Sequence, residues 1–127
     1  MNSKKRIAHE YLLHLEKNEM DKVIALFHKD GLVDSPVYGQ EKAAVFYQKL
    51  RSDTLNSQLS FKGFYDDVEG NSFALYFKYK WTLKNGKELE FDVVDIFELD
   101  AESRIVSLKI IYDSTITRAF VKGLNEE

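Results

Sequence analysis

The amino-acid sequence predicts an α+β domain in which N-terminal helices pack on the concave face of a curved antiparallel sheet. Two observations lead to this class. Apolar residues recur at steps of three and four in the first third of the chain, as in amphipathic helices, whereas after Asp53 they recur at every second position, as in strands. The 127 residues carry no repeat or linker that would divide them. We therefore expect one domain over residues 1–127.

The N-terminal part contains three predicted helices and one short strand. Asp30 and Gly31 end the second helix, and Gly39 introduces the third. Between these two helices the chain is expected to be extended, because Pro36 disfavours a helical conformation at Ser35. The predicted bounds are about 3–18 for the first helix, 21–28 for the second helix, 32–37 for the strand and 40–50 for the third helix.

The rest of the chain is predicted to form four strands. Alternation is nearly perfect from residue 72 to residue 84, where every second side chain is apolar. The other three segments also place their apolar residues mainly on one face. The strands span about 55–62, 72–84, 87–99 and 106–112, which gives the element order α-α-β-α-β-β-β-β. The pattern assigns no conformation to residues 114–127.

The turn between the two long strands is set by the parity of the loop. A two-residue loop would place Trp81 opposite Glu90 and mix apolar and charged side chains on one face. A three-residue loop over 84–86, with Gly86 in the left-handed conformation, instead places Trp81 opposite Leu89. We therefore predict the three-residue loop.

One carboxyl group falls on the apolar face of the strand over 87–99. The alternation places Asp95 on that face, and Tyr11 lies on the apolar stripe of the first helix. Burial disfavours the charged form of a carboxylate and raises its pKa, and the neutral acid can donate a hydrogen bond. Asp95 and Tyr11 are therefore predicted to form a two-donor site for an oxyanion. The alternatives are a bulge that turns Asp95 to solvent and a purely structural role for either side chain.

Four segments carry a resemblance to a known family: Tyr11-Leu12-Leu13, Ala25-Leu26-Phe27, Val33-Asp34-Ser35-Pro36 and Val94-Asp95-Ile96-Phe97. Together they resemble ketosteroid isomerase and, more broadly, the SnoaL-like polyketide cyclases of the nuclear transport factor 2-like superfamily. The resemblance covers most of the chain. It implies a cone-shaped, cystatin-like α+β barrel with a pocket at its wide end, and a homodimer packed through the outer face of the sheet.

The resemblance also implies roles for individual residues. In ketosteroid isomerase a helix-one tyrosine and a protonated strand aspartate bind the oxyanion, and these positions match Tyr11 and Asp95. The general-base aspartate of that enzyme is replaced here by Ser35, whose unassisted hydroxyl cannot take a proton from carbon at neutral pH. Asp34 is expected to point away, and Asp113 is the candidate replacement base at the cavity rim. This departure argues against steroid isomerisation and leaves Ser35 as a ligand contact.

Aromatic side chains are predicted to line the pocket. Phe77, Tyr79 and Trp81 form an aromatic wall on the inner face of the sheet, whose open end can stack a flat ligand. Tyr38 and Tyr47 are candidates for the pocket mouth. All five side chains are also typical of core or amphipathic positions. From this wall we predict a small apolar or aromatic ligand.

Charge and composition argue against several other classes of function. The 18 basic and 21 acidic side chains give a net charge of −3, which argues against a surface for nucleic acid or anionic membranes. No apolar stretch is long enough for a membrane helix, and the N-terminal segment lacks the pattern of a signal peptide. We therefore expect a cytoplasmic protein. The chain has no cysteine, no metal-ligand spacing and no glycine-rich nucleotide motif. We therefore predict neither a metal nor a cofactor.

Three functions stay open at this point. The first is an isomerase, cyclase or dehydratase acting on a planar, enolisable ligand held by Tyr11 and Asp95. The second is a ligand-binding module without catalysis, which the hydroxyl of Ser35 at the base position favours. The third is a dimeric protein-interaction domain whose cavity is vestigial. A dimer is favoured because Tyr76, Val94 and Ile96 make the outer face of the sheet unusually apolar.

Overall fold

The computed structural model describes residues 3–126, with the side chains of residues 116, 125 and 126 excepted. Four helices and six strands follow one another within this range. Their bounds are α1 Ser3–Glu16, α2 Met20–Ile24, β1 Phe27–Ser35, β2 Gly39–Lys42, α3 Ala43–Asp53, β3 Thr54–Asp66, β4 Ser72–Leu83, β5 Glu88–Leu99, β6 Ile105–Ile111 and α4 Thr115–Glu126.

The six strands form one curved, unclosed sheet in the order β2-β1-β6-β5-β4-β3. Neighbouring strands are antiparallel except for β1 and β6, which pair in parallel. The α+β class is therefore confirmed, although the sheet is not antiparallel throughout. The parallel pair arises because β1, from the N-terminal part of the chain, joins the sheet beside its last strand.

The hairpin between β4 and β5 has the predicted register. Trp81 lies opposite Leu89, and the backbone N–H of Leu83 donates to the carbonyl of Lys87 at 2.8 Å, which closes the three-residue loop. Gly86 has the left-handed conformation that this loop needs, with φ at +88°. The parity of the apolar residues therefore predicted this turn correctly.

The boundary between α2 and β1 differs from the prediction. Residues 25–28 were expected to be helical, but α2 ends at Ile24 and β1 begins at Phe27. The backbone N–H of Ile105, which begins β6, donates to the carbonyl of Leu26 at 3.0 Å, and Phe27 lies opposite Ile105. Pairing with a segment distant in the sequence therefore outweighs the local helical spacing.

Gly31, the predicted helix stop, lies inside β1 instead. A Cβ atom at Gly31 would stand 2.8 Å from the carbonyl oxygen of Ile105, so the two backbones approach closely there. Glycine is needed at this position because it has no side chain.

A short strand that the sequence pattern did not reveal precedes α3. Gly39, with φ at +72°, turns the chain so that β2 pairs with β1, and Ser35 lies opposite Gly39. The four residues of β2 are exposed or half-buried and show no apolar alternation. Helix α3 therefore begins at Ala43 and not near residue 40, and it extends to Asp53.

The segment to which the sequence assigned no conformation contains helix α4. Asp113 lies just before this helix, and its Oδ1 accepts hydrogen bonds from the backbone N–H and the hydroxyl of Thr115 at 3.1 and 2.8 Å. Val121 and Leu124 are buried, three residues apart on one face. The guanidinium of Arg118 donates to the carbonyl of Pro36 at 2.9 Å, which ties α4 to the chain after β1.

The core lies between the helices and the inner face of the sheet. Alternate residues of β4 are buried from Phe73 to Leu83, as the two-residue period predicts. The rings of Phe73 and Phe97 stack 4.6 Å apart and fill one end of the core. None of the helices within residues 3–126 has the length and hydropathy required to cross a membrane.

Candidate functional site

A cavity remains between the helices and the inner face of the sheet. Its walls come from α1, α3, the end of β1, and the inner sides of β4, β5 and β6. About 470 Å³ inside and at the mouth is free of atoms, and about 50 Å³ of this can hold the centre of a water molecule. Seven of the residues predicted for the pocket line this cavity: Tyr11, Ser35, Tyr38, Phe77, Tyr79, Trp81 and Asp95.

Asp95 lies on the inner face of β5, as the alternation predicted. The register of β4 with β5 runs without a shift past Asp95, which lies opposite Leu75, so no bulge turns the carboxyl group to solvent. Its exposed fraction is 1%, and within the described residues its Oδ1 atom has no hydrogen-bond partner. Burial raises the pKa of Asp95 well above its usual range. The neutral acid is therefore a free hydrogen-bond donor in the cavity wall.

Tyr11 reaches the same cavity from α1. Its hydroxyl oxygen lies 2.7 Å from the hydroxyl oxygen of Tyr47 on α3, and its ring packs edge-on against Phe97 at 5.0 Å between centroids. Burial raises the pKa of Tyr11 well above its usual value, and the nearby Tyr47 and Asp95 add to this shift. When Tyr47 is the donor of the pair, the proton of Tyr11 is free to bind a ligand.

Tyr47 has a different position from the one predicted. It was expected at the pocket mouth, but its side chain is fully buried behind Tyr11 and does not line the cavity. Its ring packs edge-on against Phe46 at 4.8 Å, and Phe46 is the residue of α3 that faces the cavity at this point. Tyr47 therefore orients Tyr11 and has no surface to offer to a ligand.

Ser35 occupies the wall at the end of β1. Its Oγ atom accepts a hydrogen bond from the backbone N–H of Tyr38 at 3.0 Å, which stabilises the turn after the strand. The neighbouring Asp34 is exposed, as the alternation of a strand requires. No carboxylate therefore faces the cavity from this end of β1.

Tyr38 lies beside a buried carboxylate that sequence reasoning missed. Its hydroxyl donates to Oδ2 of Asp53 at 2.5 Å, and the ammonium of Lys84 lies 3.6 Å from Oδ1 of the same group. Burial, reinforced by the hydrogen bond to Asp53, raises the pKa of Tyr38 far above its usual value. Asp53 is the last residue of α3, which was predicted to end at about residue 50, so nothing in the sequence pattern indicated its burial.

The aromatic wall extends further than predicted. Tyr79 stacks on Phe91 at 5.6 Å between centroids, and Phe91 stacks on Tyr112 at 4.5 Å, so that β4, β5 and the residue after β6 contribute one continuous surface. The Tyr79 hydroxyl lies 2.8 Å from Oγ of Ser57, and the indole N–H of Trp81 donates to Thr54 at 2.8 Å. These two polar groups are therefore already hydrogen-bonded. The remaining lining is mostly aliphatic: Leu15, Leu50, Val93 and Ile110.

Asp113 does not line the cavity in the structure. It is exposed, and the hydrogen bonds from Thr115 hold its pKa below the usual range. Its carboxylate therefore serves the start of α4, and nothing in its geometry directs it at the cavity. Among the described residues, no group of three His, Cys, Asp or Glu side chains is placed to hold a metal ion.

Comparison with solved structures identifies the fold. An NTF2-like protein of unknown function from Burkholderia pseudomallei superposes with a TM-score of 0.79 at 13% identity, covering 92% of this chain and 95% of that one. The epoxide hydrolase/cyclase-like enzyme SalBIII, with a role in pyran ring formation in the polyether salinomycin, gives a TM-score of 0.76 at 16% identity, covering 88% and 92%. TerC, co-crystallised with polyporic acid, superposes with a TM-score of 0.76 at 14% identity, covering 95% of this chain and 97% of that one.

These likenesses confirm the predicted nuclear transport factor 2-like fold. No protein-family model matches the sequence, and no curated protein matches it either. At these identities the likeness extends to the fold alone, because this fold carries many unrelated functions. The function therefore has to be argued from the cavity.

Proposed function

We propose that this protein binds a planar, enolisable carbonyl compound in its cavity, and that Asp95 and Tyr11 hydrogen-bond the carbonyl or enolate oxygen. The observation that carries this proposal is that the Oδ1 atom of Asp95 has no hydrogen-bond partner among the residues the structure describes. Leaving a buried polar group without a partner costs about 1–3 kcal/mol. A ligand oxygen at this position would accept the proton of Asp95 and recover part of that cost.

The walls of the cavity support a flat, largely apolar ligand. The stacked rings of Tyr79, Phe91 and Tyr112 offer aromatic faces, and an aromatic ring of the ligand would pack against them. The space open to the centre of a water molecule is about 50 Å³, against about 300–1,000 Å³ for most ligand pockets, so a bound ligand has to be small or the side chains at the mouth have to move.

The same donors would favour acid–base chemistry. Hydrogen-bond donors that point at an oxygen stabilise the negative charge that this oxygen gains in an enolate. An enolate is an intermediate of many isomerisations, cyclisations and dehydrations. A cyclase-like enzyme of the same fold, SalBIII, is in keeping with this class of reaction. The alternative is a binding module without turnover, and the hydroxyl of Ser35 at the base position favours it.

Binding of a phenol tests the proposal, because a phenolate has the charge and shape of an enolate. We expect the wild-type protein to bind 4-nitrophenol, and expect Asp95→Asn and Tyr11→Phe each to weaken binding about 100-fold, the usual loss for one oxyanion donor. Asp92→Asn is the matched control, since Asp92 is exposed and lies on the same strand. Isothermal titration measures the dissociation constants. Equal affinity for the wild type, Asp95→Asn and Tyr11→Phe would contradict the proposal.

A second copy of the chain is the proposed partner on the outer face of the sheet. Ile96 and Ile111, which belong to the neighbouring strands β5 and β6, are 40% and 43% exposed. Exposed apolar side chains that are contiguous favour association. The dimer would leave the cavity free, because the cavity lies on the opposite, inner face of the sheet.

A further inference from the structure

The hydrogen bond between Tyr38 and Asp53 fixes the direction of a hydroxyl in the cavity wall. Tyr38 lines the cavity, whereas Asp53 lies behind it with an exposed fraction of 5%. The phenolic proton points at Oδ2 of Asp53, 2.5 Å away, and Lys84 balances the charge of the carboxylate from the other side. A hydrogen bond to a carboxylate is stronger than one between neutral groups. The proton is therefore held away from the cavity.

A hydroxyl in this state can only accept a hydrogen bond from a ligand. A phenol has a single proton and two lone pairs, and the proton of Tyr38 is already committed to Asp53. Asp95 is its counterpart, because the neutral acid offers a proton and its Oδ1 has no partner among the described residues. The cavity wall thus carries a free donor and a free acceptor.

Asp95 and Asp53, the partner of Tyr38, are held at different ends of β4. Asp95 is opposite Leu75, whereas Asp53 lies beside the hairpin, where the backbone N–H of Lys84 donates to its carbonyl at 2.9 Å. The aromatic wall of Tyr79, Phe91 and Tyr112 borders the same cavity. A ligand that reaches both polar groups is therefore elongated, flat, and polar at its two ends.

We propose, on the basis of the proposed function, that Tyr38 accepts a hydrogen bond from a hydroxyl group of the ligand, so that the cavity selects hydroxyaryl carbonyl compounds. The carbonyl oxygen binds at Asp95 and the hydroxyl binds at Tyr38. Tyr38 touches the ligand and determines specificity, whereas Asp53 is a positioning residue that acts through Tyr38. An unsubstituted aryl ketone would leave the acceptor at Tyr38 without a donor.

Two ketones that differ in one group test this selection. The probes are 4-hydroxyacetophenone and 4-methylacetophenone, whose methyl group has about the size of the hydroxyl but no proton to donate. We expect the wild type to bind the hydroxy ketone about tenfold more tightly, as one hydrogen bond allows. Tyr38→Phe removes this preference while retaining affinity for the methyl ketone. Isothermal titration measures each dissociation constant.

Asp53→Asn tests the role of the carboxylate. Lys84 can only donate, so it favours the amide oxygen, and the amide N–H then faces Tyr38. Tyr38 would accept this N–H and turn its own proton into the cavity. The ligand hydroxyl can still accept that proton, but only weakly because its lone pair is conjugated with the carbonyl group, so we expect the preference for the hydroxy ketone to fall below tenfold. Asp92→Asn, the exposed control, keeps the tenfold preference. Because Tyr38→Phe removes a single oxygen atom, it decides the question even where Asp53→Asn does not fold.

The outcomes separate this inference from the proposed function. Equal binding of the two ketones by the wild type, or an unchanged preference in Tyr38→Phe, overturns the role of Tyr38. If Asp95→Asn weakens the binding of both ketones in the same experiment, the oxyanion site is supported even though Tyr38 does not select the ligand. If neither ketone binds to the wild type, the inference and the proposed function fail together.

Discussion

At position 95 a carboxyl group stands where the alternation of β5 requires an apolar side chain. Asp95 is buried, and its Oδ1 has no partner within residues 3–126; both features favour the neutral acid. A cationic partner nearby would have lowered the pKa of Asp95 and removed the donor. The chemistry proposed for the cavity therefore depends on the surroundings of Asp95 as much as on its carboxyl group.

The protonated state of Asp95 has a cost that depends on pH. The pKa of this group is higher in the folded protein than in the unfolded chain, where it is about 3.9. Between these two values the folded state retains a proton that the unfolded state releases. The contribution of Asp95 to stability is therefore fully present below about pH 4 and falls as the pH rises toward the folded value.

Tyr38 illustrates how a residue acquires its role from its surroundings. The same phenol would donate to a ligand if it faced water, and it accepts only because Asp53 takes its proton. Ser35 differs in the same way from a free hydroxyl, since its Oγ atom already accepts the N–H of Tyr38. At the scale of residues, the direction of each hydrogen bond, more than the residue type, determines whether a group in the cavity wall can donate to a ligand or accept from it.

At the scale of elements, the close contact between β1 and β6 allows a direct test. Gly31→Ala places a Cβ atom 2.8 Å from the carbonyl oxygen of Ile105, and we expect a loss of about 1–3 kcal/mol in the free energy of unfolding. Gly123→Ala is the control, because no atom lies within 4 Å of its Cβ position, and helix propensity predicts a gain of up to about 1 kcal/mol. Urea denaturation measures both changes. A Gly31→Ala variant as stable as the wild type would contradict the parallel pairing.

The elements that could be predicted are those whose pattern is local. The period of β4 and β5 and the parity of the loop over 84–86 predicted the hairpin, its register and the inward position of Asp95. The start of β1 could not be predicted, because residues 25–28 have helical spacing and the chain becomes extended from Phe27 onward only by pairing with β6. Strand β2 escaped prediction because its four residues bury no side chain.

The site was predictable to a similar extent and for the same reason. Tyr11 continues the apolar stripe of α1, and Asp95 interrupts the apolar alternation of β5. Each residue can therefore be found from the pattern of its own element. Asp53 was missed, because its partner Tyr38 lies fifteen positions earlier and meets it only through the turn after β1. The position of Tyr47 behind Tyr11 likewise depends on how α3 packs against α1, which no local pattern reports.

At the scale of the whole molecule, the inner and outer faces of the sheet differ in the residues that they carry. The inner face holds the core at the end where Phe73 stacks on Phe97, and it borders the cavity where Tyr79 stacks on Phe91. The outer face carries exposed isoleucines and is the proposed dimer surface. A dimer formed through this face would rigidify the sheet that carries Asp95 without blocking access to it.

The dimer is tested by placing a charge on the outer face. We expect the wild type to be a dimer at micromolar concentration and Ile96→Lys to be a monomer, because a buried unpaired ammonium is costly in an interface. Val45→Lys is the control, since Val45 is 47% exposed on α3, away from the sheet. Light scattering after size exclusion gives the masses. A monomeric wild type, or a dimeric Ile96→Lys, would contradict this assembly.

The state of the carboxyl group inside the cavity can be measured directly. In protein labelled with carbon-13 at the aspartate side chains, comparison with Asp95→Asn assigns the Asp95 resonance, whose shift is then followed against pH. The account predicts a protonated carboxyl group at pH 7, because burial raises the pKa of Asp95 well above the usual value. A resonance that titrates with a midpoint near 4, as for an exposed aspartate, would contradict it.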